Sequence, residues 1–150
     1  MSNPTGGSHG ISEQYVAGFF DGEGCVYSQL QWIQGKYEKY PRISVQVTIA
    51  QTDLNILKLI EKWFGGKTKI HMLNRTTKTC YQWRVVGKIE VMRFLNTIRP
   101  YVVVKKKQVE LALEFCATLR DENLGCVPLS KEVHALRKKI HDRLRVLKHT

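Results

Sequence analysis

One ten-residue stretch organises the chain: Tyr15-Val16-Ala17-Gly18-Phe19-Phe20-Asp21-Gly22-Glu23-Gly24. Its apolar residues have helical spacing and share one face, and its second half places two carboxylates between glycines. This pattern predicts a helix that ends in a turn over residues 21–24. A carboxylate and free backbone carbonyls at one helix end are oxygen ligands of the kind that Mg²⁺ and Ca²⁺ prefer. The residues alone also fit an ordinary helix end with two solvated acids, so both interpretations stay open.

Outward from this stretch, the hydrophobic pattern predicts two repeats of a helix and two strands, followed by helices. The first ten residues are rich in Gly and Ser, and we expect a flexible segment over 1–10 and a single domain over 11–150. The predicted strands span 25–34, 42–49, 67–73 and 80–85, and the predicted helices 11–20, 54–64, 88–99, 105–120 and 130–147. On the apolar side of the strands we expect, among others, Val26, Leu30, Trp32, Thr68, Ile70 and Met72.

The charge balance points to a polyanionic partner. Twenty-four Lys and Arg against thirteen Asp and Glu give a formal net charge of +11, which favours nucleic acid. A basic surface that is only solvated also fits this charge, and an acidic membrane surface would attract it too. No apolar run of about 18 residues and no signal-peptide pattern is present, so we expect a soluble, intracellular protein. Its compartment, an organelle (chloroplast or mitochondrion) or a microbial cytoplasm, stays open. The four cysteines form no Cys-x-x-Cys pair, which predicts reduced thiols rather than a zinc site.

The other side of the predicted strands is polar and basic. Gln, Arg, Lys, Thr and Ser alternate there with the apolar residues, and such side chains hydrogen-bond with base edges and phosphates. An antiparallel sheet can also wet one face for solubility alone. Together with the net charge, the pattern favours DNA binding.

The quoted stretch resembles the LAGLIDADG motif of homing endonucleases, and the predicted element order from about Ser12 to Arg120 resembles that family's domain. The resemblance implies an α+β, αββαββα fold with a curved antiparallel sheet that serves as a DNA-binding saddle, plus additional C-terminal helices. Because the chain carries one motif, the resemblance implies a homodimer on a long palindromic or near-palindromic site. The motif helices would pack together through Tyr15, Val16, Ala17, Gly18, Phe19 and Asp21.

By the same resemblance, Glu23 corresponds to the metal-binding carboxylate of the family, where Asp is commoner, and the Gly22 carbonyl is a further metal ligand. Gln51 corresponds to a glutamine that orders water, although a capping or surface role also fits it. Lys105 corresponds to a basic residue near the scissile phosphate, and the register also allows Lys106. The implied cofactor is Mg²⁺, with Mn²⁺ as a substitute and Ca²⁺ supporting binding without cleavage.

The resemblance assigns base and phosphate contacts to the polar side of the strands: Tyr27, Gln29, Gln31, Arg42, Ser44, Gln46, Thr48, Lys69, His71, Gln82 and Arg84. The last helix carries further cations that fit either a solvated face or phosphate contacts: Arg137, Lys138, Lys139, Arg143, Arg145 and Lys148.

The sequence therefore predicts an intron-encoded, metal-dependent DNA endonuclease that makes a double-strand break by phosphodiester hydrolysis. A cleavage-inactive intron RNA maturase or DNA-binding regulator of the same fold is the main alternative. A basic structural or ribosome-associated protein would explain the charge but not the acidic glycine-rich turn.

Overall fold

The computed structural model describes residues 10–32, 40–72, 79–119 and 130–148, with the side chains of residues 72 and 148 left aside. In the described ranges the chain forms α1 (Glu13–Glu23), β1 (Gly24–Gln31), β2 (Arg42–Gln51), α2 (Leu54–Phe64), β3 (Lys67–Met72), β4 (Cys80–Val85), α3 (Lys88–Ile98), α4 (Lys106–Thr118) and α5 (Lys131–Lys148). This α+β order confirms the fold class. The proposed flexible segment, apart from Gly10, lies outside the described residues, as do Cys126 and the end of the first predicted strand.

The four strands form one antiparallel sheet in the order β1-β2-β4-β3. Each hairpin of neighbouring strands follows a helix, so the two halves of the sheet are joined through the central pair β2 and β4. An irregularity between Ile70 and Met72 shifts the register of β3 and brings Met72 opposite Cys80. The side chain of Met72 lies outside the described residues, so the prediction that it shares a face with Thr68 stays a prediction.

The α1 helix runs directly into β1, without the turn that the glycines predict. Ser12 caps its start by accepting a hydrogen bond from the backbone N–H of Tyr15 at 2.9 Å. The helix continues through Glu23, and Gly24 begins the strand with an ordinary φ of −86°. Gly24 is required for another reason: a Cβ there would lie 2.1 Å from Cδ2 of Phe20.

One face of the sheet is covered by the helices, and the core lies between them. Alternate residues of β2 and β4 are buried with the inward faces of the helices, and the aromatic centre combines Phe20, Phe64, Trp83 and Phe94. The Trp83 Nε1–H also donates to the carbonyl of Gly65 at 2.8 Å. Gly65 ends α2 with a positive φ of 81°. This sequence-distant contact ties the second helix to the sheet.

Two apolar residues that the alternation assigned to the core are exposed instead. Trp32 is 72% exposed because β1 ends at Gln31, one residue before it. Ile70 is 62% exposed because it lies on the edge strand β3, whose inward side extends beyond the helices at this point. Both predictions are wrong because alternation identifies a face of a strand, but neither where the strand ends nor how far the helices cover it.

Candidate active site and nucleic-acid surface

The acidic end of α1 projects its functional groups outward. The side chain of Glu23 and the backbone of Gly22 are exposed, and both stand in the last turn, where helix carbonyls have no partner within the helix. A carboxylate and carbonyl oxygens are hard donors, so the chemistry of this donor set fits a magnesium-sized cation. Within the described ranges, no three His, Cys, Asp or Glu side chains converge on one point. The protomer therefore offers part of a coordination sphere at this end of the helix.

Asp21 has a different environment from its neighbours in the motif. Its carboxylate turns back onto the segment before α4 and accepts three backbone hydrogen bonds, from the N–H of Val103 at 2.7 Å, of Val104 at 3.3 Å and of Lys105 at 3.1 Å. Sequence reasoning missed this contact, since the bonded groups are more than 80 residues away in the chain and are backbone amides. The sequence offered one signal, the three consecutive lysines at residues 105–107. Their positive charge at a helix start is unfavourable unless an anion lies nearby.

Lys105 lies next to the acidic end of α1. Its Nζ donates to the backbone carbonyl of Asp21 at 2.5 Å, and its side chain is half-buried. Lys106 and Lys107 are exposed and follow in the first turn of α4, where the helix dipole disfavours cations. The Asp21 carboxylate offsets part of that cost. Of the two lysines that the register allowed, the structure places Lys105 against α1.

Gln51 ends β2 and is half-buried. Its Oε1 accepts hydrogen bonds from the backbone N–H of Thr52 at 2.8 Å and from the Thr52 hydroxyl at 3.2 Å. The strand register places it opposite Tyr81. The carbonyl oxygen of Gln51 thus serves a local capping role in the protomer, which leaves its amide nitrogen as the group available to water or phosphate.

The strand register assembles the predicted DNA-contacting residues other than His71 into one surface, defined here as the polar sheet face. His71 lies at the register shift of β3, at the edge of this face, and has no paired residue in the register. Directly opposed pairs continue across all four strands: Tyr27 with Gln46, Gln29 with Ser44, Gln31 with Arg42, Thr48 with Arg84, and Lys69 with Gln82. Opposed side chains stand about 5 Å apart, so the face presents a continuous array of donors. Lys67, opposite Arg84, belongs to it as well, although the sequence interpretation did not include it.

Exposure varies across the polar sheet face. Arg42, Lys69, His71 and Arg84 are exposed, and the Arg84 guanidinium donates to Oε1 of Gln82 at 3.1 Å. Thr48 is only 8% exposed, because it lies on a central strand between its neighbours. Thr48 is consequently the least accessible of the residues that we assigned to DNA.

The α1 helix divides the predicted dimer residues between two faces. Val16 and Ala17 are fully buried in the protomer's own core, together with Phe20, so their assignment to a partner helix is corrected. The helical period of 3.6 residues places them on the side that faces the sheet. The outward side carries the exposed Tyr15 and Gly18, the half-buried Phe19 and the exposed Gly22, which share one face as i, i+3, i+4 and i+7.

The last helix, α5, packs against β1 through a buried polar contact. Ser28 Oγ lies 2.6 Å from His141 Nδ1, and burial lowers the pKa of His141 while the nearby Asp142 carboxylate opposes that shift. Arg137, one of the cations considered for phosphate, donates to the hydroxyl and carbonyl of Thr118 at 2.9 and 2.7 Å. Its guanidinium therefore joins α5 to α4, which favours a structural role for this arginine.

No helix in the described part of the chain has the length and apolar character needed to cross a membrane. The candidate site described above consists of an acidic helix end, an adjoining lysine and a broad polar sheet face.

Comparison with known proteins places this geometry in a family. The model described as "LAGLIDADG endonuclease" matches residues 16–117. The chain is 28% identical over 117 residues to the DNA endonuclease I-CvuI of Chlorella vulgaris. These 117 residues cover 77% of this chain and 70% of that protein.

Solved structures show the same fold. I-CvuI in complex with the I-CreI target in the presence of 2 mM Mg, with the DNA not cleaved, gives a TM-score of 0.72 at 24% identity over 90% of this chain and 80% of that chain. I-CvuI with its own target in 2 mM Ca gives 0.72 at 23% identity over the same shares of 90% and 80%. An archaeal intron-encoded homing endonuclease complexed with DNA gives 0.74 at 20% identity, over 90% of this chain and 82% of that chain.

Proposed function

Because the chain belongs to the LAGLIDADG endonuclease family, we propose that it is a homing endonuclease that acts as a homodimer. It makes a divalent-metal-dependent double-strand break in a long, palindromic or near-palindromic DNA site. The exposed acidic end of α1, with Lys105 held beside it, is the observation that carries this proposal. An intron-encoded origin belongs to the proposal too, since one structural relative is intron-encoded.

Dimerisation is supported by glycines that the protomer itself does not need. A Cβ added at Gly18 or Gly22 would meet no atom within 4 Å. Each glycine nevertheless costs about 1 kcal/mol relative to alanine inside a helix. A second α1 helix could approach this face closely, because the glycines have no side chains there. The exposed Tyr15 and half-buried Phe19 would pack beside the glycines.

Metal binding at the dimer centre follows from the position of Glu23. A two-fold axis along the α1 pair brings two Glu23 carboxylates and two Gly22 carbonyls together. These oxygens, with DNA phosphate and water, would provide the oxygen ligands that Mg²⁺ prefers. Among the described residues of one protomer, no three His, Cys, Asp or Glu side chains converge on one point. A bound divalent cation supplies an activated water and neutralises charge at the phosphorus. We propose Mg²⁺ as this cation, with Mn²⁺ as a substitute and Ca²⁺ supporting binding alone.

The neighbouring side chains complete the chemistry. The Lys105 ammonium lies at the last turn of α1, where it stabilises negative charge that develops on the scissile phosphate. Gln51 keeps its amide N–H groups for a water molecule, because its carbonyl oxygen is bound to Thr52. The roles assigned are phosphate stabilisation for Lys105 and orientation of water for Gln51.

Site specificity is assigned to the polar sheet face. Its arginines suit bidentate contacts to guanine, its glutamines suit adenine, and its lysines suit phosphate. A β-ribbon is narrow enough to enter the major groove, which is about 12 Å wide. The +11 net charge supplies the general attraction to the backbone.

Cleavage of a randomised library of inverted-repeat DNA tests the proposal. We expect the protein with Mg²⁺ to cut one long site at its centre, and with Ca²⁺ to bind that site without cutting it. Glu23→Gln should retain binding and lose cleavage by more than the roughly 10–100-fold typical of an outer-shell change. Glu13→Gln, the same substitution in the first turn of α1, is the matched control and should cut normally.

Three results would count against parts of the proposal. Selective binding without cutting in Mg²⁺ or Mn²⁺ would favour a maturase or a DNA-binding regulator of the same fold. Full cleavage by Glu23→Gln would remove Glu23 from the metal site. Activity from a monomer at high dilution would exclude the dimer.

A further inference from the structure

The carboxylate of Asp21 is committed to its own chain. Oδ2 accepts the N–H of Val103 and Val104, and Oδ1 accepts the N–H of Lys105, at 2.7, 3.3 and 3.1 Å. The motif resemblance suggested a contact with the partner helix. Within the protomer, both oxygens accept hydrogen bonds from three consecutive amides, so the side chain links α1 to the start of α4.

This arrangement solves an electrostatic problem at the start of α4. The first N–H groups of a helix lack partners within it, and the positive end of its dipole disfavours nearby cations. Lys105 itself forms no side-chain cap, and Lys106 and Lys107 add further positive charge. The Asp21 carboxylate from α1 pairs the N-cap amide of Lys105 and the two amides before it, and it offsets these charges. Bonds of this charge-assisted type are roughly twice as strong as neutral ones.

The same residue also receives the lysine. Lys105 Nζ donates to the backbone carbonyl of Asp21 at 2.5 Å, while the Lys105 N–H donates to the Asp21 carboxylate. Lys105 is thus held at its backbone and at its amine by one residue. That residue stands one position before Gly22 and two before Glu23.

We propose that Asp21 is a positioning residue for cleavage: its carboxylate fixes residues 103–105 and thereby sets the Lys105 amine at the acidic end of α1. The inference rests on the proposed endonuclease function. Asp21 acts through Lys105 and touches neither substrate nor reacting atoms in this role. A chain that loses the carboxylate keeps the lysine but loses the frame that orients it.

A double-mutant cycle tests the proposal, with Asp21→Asn, Lys105→Met and the combination, each measured as the full-length protein. Asp142→Asn is the matched control, since it makes the same change at an exposed carboxylate on α5. Hydrogen exchange reports protection of the amides of residues 103–105, sedimentation reports the dimer, affinity is measured on target DNA in Ca²⁺, and single-turnover cleavage is measured in Mg²⁺.

We expect Asp21→Asn to lose protection at residues 103–105 while the dimer and the DNA affinity stay unchanged. Its cleavage rate should fall by about 100-fold, the effect of a misplacement of about 1 Å in a catalytic site. The double variant should cleave no more slowly than Lys105→Met alone, because both changes remove the same contribution. Should Asp21→Asn fail to fold, Asp21→Glu keeps the charge, moves it by one methylene and completes the same cycle.

Additive losses in the double variant would overturn the inference, since Asp21 would then act independently of Lys105. Weakened dimerisation of Asp21→Asn with unchanged protection at residues 103–105 would also overturn it, in favour of a partner contact. In both cases the wild-type protein still cleaves, and the proposed function stands. A wild-type protein that binds DNA without cutting it would overturn the proposed function, and this inference with it.

Discussion

Replacing Gly18 with leucine should stabilise the monomer and disrupt the dimer. A Cβ at this position meets no atom of the protomer within 4 Å, and the residue lies on the outward face of α1. The protomer therefore gains helix propensity of about 0.8 kcal/mol, because glycine costs about 1 kcal/mol relative to alanine and leucine only slightly more than alanine. For a chain of this size, the gain raises the midpoint of thermal unfolding by roughly 2–3 °C.

The dimer should respond in the opposite direction. Each inserted side chain costs about 1–3 kcal/mol in a packed contact, and the two-fold axis applies that cost twice. A total of about 2–6 kcal/mol weakens association by roughly 30-fold to more than 10⁴-fold. Cleavage at low protein concentration should fall by a similar factor, because only the dimer would hold both acidic ends.

Sedimentation equilibrium and thermal unfolding at dilute protein, followed by circular dichroism, measure the two effects. Asn96→Leu is the control: it adds the same side chain at an exposed position of α3 and should leave association unchanged. If Gly18→Leu dimerised normally, the α1 face would not be the interface. A lower unfolding midpoint at dilutions where the wild type is monomeric would contradict the open environment of Gly18.

Three further predictions concern the protomer. Gly24→Ala should lower the free energy of unfolding in urea by about 1–3 kcal/mol, because the new Cβ would lie 2.1 Å from a ring carbon of Phe20; Gly18→Ala is the control and should not destabilise, and equal effects would refute the clash. Burial lowers the pKa of His141, so its contribution to stability is complete above about pH 6.5 and falls as the pH decreases through the folded-state pKa. His141→Gln should flatten that part of the stability–pH profile, and an unchanged slope would assign it to other groups. Burial raises the pKa of Cys116 to about 11, so iodoacetamide at pH 8 should modify this thiol only on unfolding, which mass spectrometry of the digested protein can check.

The sequence predicted the element order and most of the sheet, since the evidence for both is local. In β2 the apolar residues alternate with polar ones in the sequence, and all four are buried: Ile43, Val45, Val47 and Ile49. Asp is a favoured residue type at a helix start, and the Oδ1 of Asp53 accepts the N–H of Asn55 at 2.9 Å at the start of α2. These features depend on backbone geometry and burial along one element, which residue type and spacing encode.

Predictions failed where a second element decided the outcome. The helical period of α1 has two apolar sides, and only the position of the sheet determines that Val16 and Ala17 face inward. Similarly, the exposure of Trp32 depends on where β1 ends, and that of Ile70 on how far the helices extend over β3. The partners of Asp21 are backbone amides, which every residue has. The lysines at residues 105–107 indicated that an anion is needed there, but not which residue supplies it.

Because no turn separates α1 from β1, their junction fixes the distance between the end of the helix and the residues of the strand. Tyr27 follows Glu23 by four positions of continuous regular backbone, so the span from the proposed metal ligand to the first proposed DNA contact is about 13 Å. A single inserted base pair lengthens the DNA by about 3.4 Å and rotates everything beyond it. A base substitution in the target would alter one contact. An inserted or deleted base pair would displace every contact of the half-site. To change the target of such a protein, the bases within each half-site could be varied, whereas the distance between the half-sites would have to be kept.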